Sequence, residues 1–127
     1  MDMKRISLTF AGLAVALIGA SSLQAQMPDG VTDALVAEGQ TVFMGAGLCA
    51  ACHGMDGTGA VGPDLTDGKW LLGGGTYEEI VDQITKGVSA AEATNAMGAI
   101  MLPKGGSAIT DDQVKAVAAY VWKLSNG

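Results

Sequence analysis

The chain has one histidine and two cysteines in 127 residues, and all three fall within five positions, Cys49-Ala50-Ala51-Cys52-His53. Any catalytic dyad or triad built on histidine could therefore draw only on His53. Arginine does not occur after residue 5. From residue 26 onward five lysines face twelve carboxylates, a net charge of −7. That balance excludes nucleic acid as a partner, because binding it needs basic surface to neutralise phosphate. A partner with a basic docking face, or no partner at all, suits it better. Clean period-two alternation is also missing, so no substantial sheet is expected. Internal repeats and low-complexity tracts are absent as well.

The amino-terminal stretch MDMKRISLTFAGLAVALIGASSLQAQ reads as an export signal. Lys4 and Arg5 form its basic start, Ile6 to Ile18 its apolar middle, and small residues lead to a cut after Ala25. The rival reading is a retained anchor, since Ile6 to Leu23 carries no charge and approaches the roughly 18 residues that span a bilayer. Ser7, Thr9, Ser21 and Ser22 interrupt that run and favour cleavage. The expected domains are thus a signal at 1–25 and one domain at 26–127. A domain of that size has a lean core and commonly gains stability from a staple, a metal or a cofactor.

Three stretches carry helical periodicity. Thr32 to Ala46 sets Leu35, Val36, Gly39 and Phe43 on one side. Thr76 to Val88 opens with a capping box, Thr76-x-x-Glu79, and lines up Tyr77, Ile80, Val81 and Ile84 before stopping at Gly87. Thr110 to Leu124 opens with Thr110-x-x-Gln113 and aligns Val114, Val117, Ala118 and Val121. The loops between them, 53–75 and 89–109, exceed the roughly 15 residues usual for a structureless connection. Loops this long need something large to wrap around.

The pentapeptide admits several chemistries. In an exported chain Cys49 and Cys52 could form a plain disulfide. A thioredoxin-like motif needs a βαβ context that this chain lacks. Zinc would want a fourth ligand, and no second cluster supplies one. Covalent haem attachment uses all three residues: two thiols bond the vinyl groups, and the adjacent histidine reaches the iron. With His53 on one face, no other histidine or cysteine can take the opposite position. Methionine, lysine, the terminal amine or water remain. Met44 and Met55 lie too near the attachment site to reach that face, and Met27 belongs to a terminus expected to fray. Met97 and Met101, both ahead of the last helix, are the candidates.

From 32 to 125 the chain resembles the class I c-type cytochromes. The stretch EGQTVFMGAGLCAACHG is similar to that family's first helix running into its haem motif, GPDL at 62–65 to its proximal loop, MLPKGG at 101–106 to its methionine loop, and ITDDQVKAVAAYVWKLS to its final helix. LTDGKWLLGG at 65–74 is similar to haem domains in the c-type subunit of cbb-type haem–copper oxidases. Subunits of that kind carry two haem motifs and a membrane anchor, whereas this chain has one motif. The segment SAAEATNAMGAI, 89–100, also departs from the family pattern; were it helical, Met97 and Met101 would point the same way.

The resemblance implies an all-α, small cytochrome c fold with three main helices and long loops wrapped around one haem c. It implies thioether bonds at Cys49 and Cys52, and His53 on the iron with its Nδ1–H donated to the Pro63 carbonyl. Leu65 would lie on the ring, Trp70 near a propionate, Tyr120 against the first helix near Gly39 and Phe43, and Met101 rather than Met97 opposite His53. It further implies an exported, periplasmic one-electron carrier that is not an enzyme. Redox proteins would be its partners, with Lys104 and Lys69 the few cations near its exposed edge. A membrane-tethered haem module of an oxidase or dehydrogenase is the alternative. A five-coordinate haem binding gases or peroxide fits less well, because no spare histidine or arginine stands ready for acid–base work.

Overall fold

Thr32, Thr76 and Thr110 each begin a helix in the same way. Their backbones are extended, and each side-chain oxygen accepts the N–H three residues on, from Leu35, Glu79 and Gln113. The computed structural model describes residues 25–127, together with 11, 12, 14–16 and 19. The expected signal at 1–25 falls for the most part outside them. Among the described residues the elements are α1 (Asp33–Met44), α2 (Ala50–His53), α3 (Tyr77–Lys86), a 3₁₀ turn (Pro103–Gly106) and α4 (Asp111–Asn126). The fold is all-α, and pairing of extended backbone among these residues is confined to one isolated bridge, Val88 to Met101.

At both expected capping boxes the box is closed: Glu79 returns a carboxylate to the Thr76 N–H, and Gln113 an amide oxygen to the Thr110 N–H, at 3.0 and 2.9 Å. Helix α3 buries Ile80 and Ile84 and stops at Gly87. Helix α1 buries Gly39, Val42 and Phe43, while Leu35 and Val36 are only half-buried. Helix α4 exceeds its expected stripe. Beside Val114, Val117, Ala118 and Val121 it buries Ala116, Ala119, Tyr120 and Trp122. It packs against α1 on one side and α3 on the other, so more than one face is covered.

The α1–α4 crossing holds the frame. A Cβ at Gly39 would lie 1.9 Å from the Ala116 carbonyl oxygen, so the two backbones touch where Gly39 sits. One turn on, the Phe43 and Tyr120 rings meet edge to face at 5.3 Å. One expectation needs correction, and two further features come from the structure. Met27 is not in a frayed end: it packs against the core, behind a turn in which Val31 N–H donates to Pro28 O. Residues 89–100 form turns, in keeping with the long loop expected over 89–109. Ser89 is tied to the Glu92 carboxylate at 2.6 Å, and the Asn95 amide bonds both the N–H and the carbonyl of Ala99. The ammonium of Lys104 is held at 2.9 Å by Asp111.

Gly39→Ala must push the two helices apart. It is expected to cost about 3 kcal/mol, the upper end for overpacking, and to lower the melting midpoint by more than about 10 °C. Thermal unfolding followed by circular dichroism reads this. An unchanged midpoint would mean that the crossing is not under this constraint.

Candidate functional site

Helix α2 is a single turn, closed by His53 N–H to Cys49 O at 3.0 Å. Nothing in the sequence marked it, because four residues are too few to show a period. Leu48, just ahead of Cys49, has a φ of +58°, one of two left-handed non-glycine residues among those described. The other is Lys104 in the methionine loop. Such strain persists only where the surroundings over-determine it, and it gathers at functional sites.

His53 is buried, and its Nδ1 lies 2.9 Å from the Pro63 carbonyl oxygen. A carbonyl can only accept, so Nδ1 carries the proton and Nε2 keeps its lone pair. Gly62 allows the approach, since a Cβ there would come within 2.9 Å of the imidazole. The loop beyond is pinned by its own side chains. Asp56 takes the N–H and hydroxyl of Thr58, and Asp64 those of Thr66 at 2.7 Å each. Those donors hold both carboxyls below the usual range. Burial, opposed by its own backbone N–H and reinforced by Cys52, pushes the Cys49 thiol up to about 11. Thiolate ligation needs the opposite shift. Among the described residues no cluster of three or more His, Cys, Asp or Glu is placed to hold a bare metal ion.

Cys49, Cys52 and His53 line one cavity of about 360 Å³ with Pro63, Leu65, Trp70 and Met101. Phe43, Ile80, Ile84, Val117 and Val121 supply its floor, from α1, α3 and α4. The structure thus brings together the residues from the pentapeptide, the proximal loop and the methionine loop. Met97 lies outside that lining and is 67% exposed. Met44 and Met55 are exposed and also outside it. Sequence reasoning missed Gln83, Glu92, Thr94 and Asn95, which add a polar part to the wall.

The exposed large apolar side chains test what would fit. Leu48, Val61, Leu71, Leu72, Ile100 and Leu102 are each more than a third exposed, and all six line this cavity. Contiguous exposed apolar surface marks a binding site. A large apolar body with a polar edge, bearing a metal for Nε2 and two positions for the thiols, matches these walls. Haem is such a body, and the residues fit it.

An all-helical frame around a Cys-x-x-Cys-His turn and an apolar cleft defines a haem-holding protein. The cytochrome c family model matches residues 36–125, and the chain belongs to that family. It is 41% identical over 99 residues to the Cbb3-type cytochrome c oxidase subunit CcoP of Cereibacter sphaeroides, covering 74% of this chain and 29% of that protein. It is 37% identical over 113 residues to the subunit FixP of Bradyrhizobium diazoefficiens, covering 87% of this chain and 38% of that one. The chain thus spans between about a quarter and two-fifths of the curated relatives it matches. Among solved structures, Cytochrome CL from Methylophaga aminisulfidivorans shares the fold, with a TM-score of 0.54 and 24% identity over 70% of this chain and 52% of that one.

Replacing Cys49 and Cys52 with alanine is expected to abolish the haem that survives denaturation, read as a missing increment in intact mass. It should also loosen the domain, because the cavity floor is the core. A double variant with the parent's thermal midpoint and no haem would refute that coupling.

Proposed function

We propose that the chain is an exported monohaem c-type cytochrome carrying one electron at a time, with His53 and Met101 as axial ligands and thioether bonds at Cys49 and Cys52. The observation that carries this reading is that His53 and Met101 line the same apolar cavity while Met97 lies outside it. Bound there, the haem would supply a one-electron iron couple, and a thioether opposite imidazole raises its potential. The chain's part is to hold still. The Pro63 carbonyl fixes the His53 ring, and the Val88 bridge fixes the Met101 backbone at 2.8 and 3.0 Å. Ligands that do not move on oxidation keep reorganisation small.

Two protein ligands leave no open position on the iron, which favours a carrier over an enzyme. The single histidine, already bonded to Pro63, leaves no second imidazole for proton transfer. Export rests on the basic and apolar start and the small residues before Ala25. A periplasmic location, with peripheral or no membrane association, follows from that reading. Among the described residues no helix is long and apolar enough to cross a membrane. The kinship with oxidase subunits supports a second reading, a haem module tethered to an oxidase complex. Intact mass separates the two: a periplasmic product beginning at Gln26 supports the carrier, and a full-length membrane-bound product the module.

Met101→Ala is expected to remove the weak near-infrared band of methionine ligation, open the ferrous iron to carbon monoxide and lower the potential. Met97→Ala should keep the band. Loss of the band in Met97→Ala alone would reassign the ligand.

Docking is expected either to be steered by a basic face on the partner or to be mainly apolar, around small residues such as Ala50, Ala51 and Gly105. Salt decides between the two. Lys104 is paired with Asp111, and on the cavity lining Asp64, Asp67 and Glu92 outnumber Lys69. Electron transfer with a basic test partner should slow as salt rises and the Debye length falls from about 10 Å at 0.1 M to about 3 Å at 1 M. An acidic partner that reacts faster at low salt would overturn this.

A further inference from the structure

Gln83 holds Gly87 at two points. Its backbone carbonyl accepts the Gly87 N–H at 2.8 Å, and its side-chain amide donates to the Gly87 carbonyl at 2.6 Å. Gly87 in turn is where the methionine loop rests: a Cβ there would lie 2.3 Å from the Met101 carbonyl oxygen and 2.8 Å from the Pro103 nitrogen. Its φ of +75° also favours glycine. The next residue, Val88, exchanges both backbone hydrogen bonds with Met101, and those two residues form a bridge with no strand on either side. An isolated bridge has no ladder to support it, so its alignment depends on what fixes Gly87.

We propose that Gln83 is a positioning residue for Met101: through Gly87 and Val88 it sets how firmly the Met101 backbone, and with it the sulfur, is presented to the cavity. The inference rests on Met101 as the sixth ligand and adds the element that controls it. The end of α3 thereby becomes part of the site, although Gln83 need not touch the iron. Gln83 belongs to the cavity wall and is half-buried, so its amide is sheltered from competing water. The carbonyl of Gly87 cannot accept from an apolar side chain or from an ionised carboxylate.

The test compares the parent holoprotein with Gln83→Leu, which keeps the bulk and removes the donor, and with Gln83→Glu, which keeps the shape and removes the donor when ionised. Native-state hydrogen exchange should accelerate about five-fold at the Val88 and Met101 amides, the equivalent of one hydrogen bond of about 1 kcal/mol. Amides of α1 and α4 should keep their rates, which a merely destabilised fold would not allow. The near-infrared band should weaken and the potential fall in both variants. Unchanged exchange at Val88 and Met101 in Gln83→Leu would overturn the clamp, and so would equal acceleration throughout α1 and α4. A band that survives Met101→Ala would overturn the ligand reading instead, while the exchange result still reports on the clamp.

Discussion

Phe43, Ile80, Ile84, Val117 and Val121 belong at once to the protein's core and to the wall of one cavity. Helices α1, α3 and α4 each contribute, so the apolar faces that bring them together are the faces that make the site. Burial on one side of these residues is supplied by the helix crossings, above all by the contact of Gly39 with Ala116. The other side is completed by whatever fills the cavity. Filling it with an apolar body adds to folding stability through the same surfaces, by the usual linkage between a bound group and the folded state. Site and core cannot be altered separately in such a molecule.

The loops obey a different rule. Residues 54–75 and 89–102 contain no helix, yet backbone–backbone turns and side chains acting two to four residues away tie several of their N–H groups. Asp56, Asp64 and Asp67 each accept a backbone N–H two positions on, and Asn95 ties three groups of its own turn. These local bonds make each loop a chain of stiff turns rather than a slack connection. Stiffness matters because the loops carry Pro63 and Met101. A carbonyl that wandered could not hold the His53 ring in one tautomer.

Helix starts and faces were legible because a capping threonine and a 3.6-residue period are local signals. The all-round burial of α4 was not, since periodicity reports the strongest stripe and is silent on a second neighbour. The pentapeptide marked Cys49, Cys52 and His53 by residue type alone. Where Met97 and Met101 lie relative to one another depends on the fold of the stretch between them. Whether it coils or turns depends on Asn95 reaching Ala99, which competes with helix at a residue suited to either. The ion pair of Lys104 could not be read from the sequence. Its partner Asp111 is seven residues away across a left-handed turn, a geometry that no local pattern encodes.

The acceptor behind the histidine bears on what the site can do. In His53 it is the neutral carbonyl of Pro63 rather than a carboxylate. A carboxylate partner makes an imidazole a stronger donor and enriches the metal in electrons, whereas a carbonyl does so less. A thioether on the opposite side withdraws support from the oxidised state in the same direction. For an iron held between His53 and Met101, both neighbours therefore favour the reduced form. Neither supplies the electron density that bond cleavage at a bound oxidant would need. The second requirement of such chemistry, a mobile proton donor beside the iron, would fall to Lys69, Glu92, Asp64 or Asp67 on the cavity wall. Hydrogen bonds from Ser89 and Thr66 hold Glu92 and Asp64 below the usual carboxylate range. Asp67, exposed at the rim, has its oxygen engaged by the Lys69 N–H. Were His53 and Met101 to hold the iron as proposed, such a site would change its charge by one electron while moving few atoms.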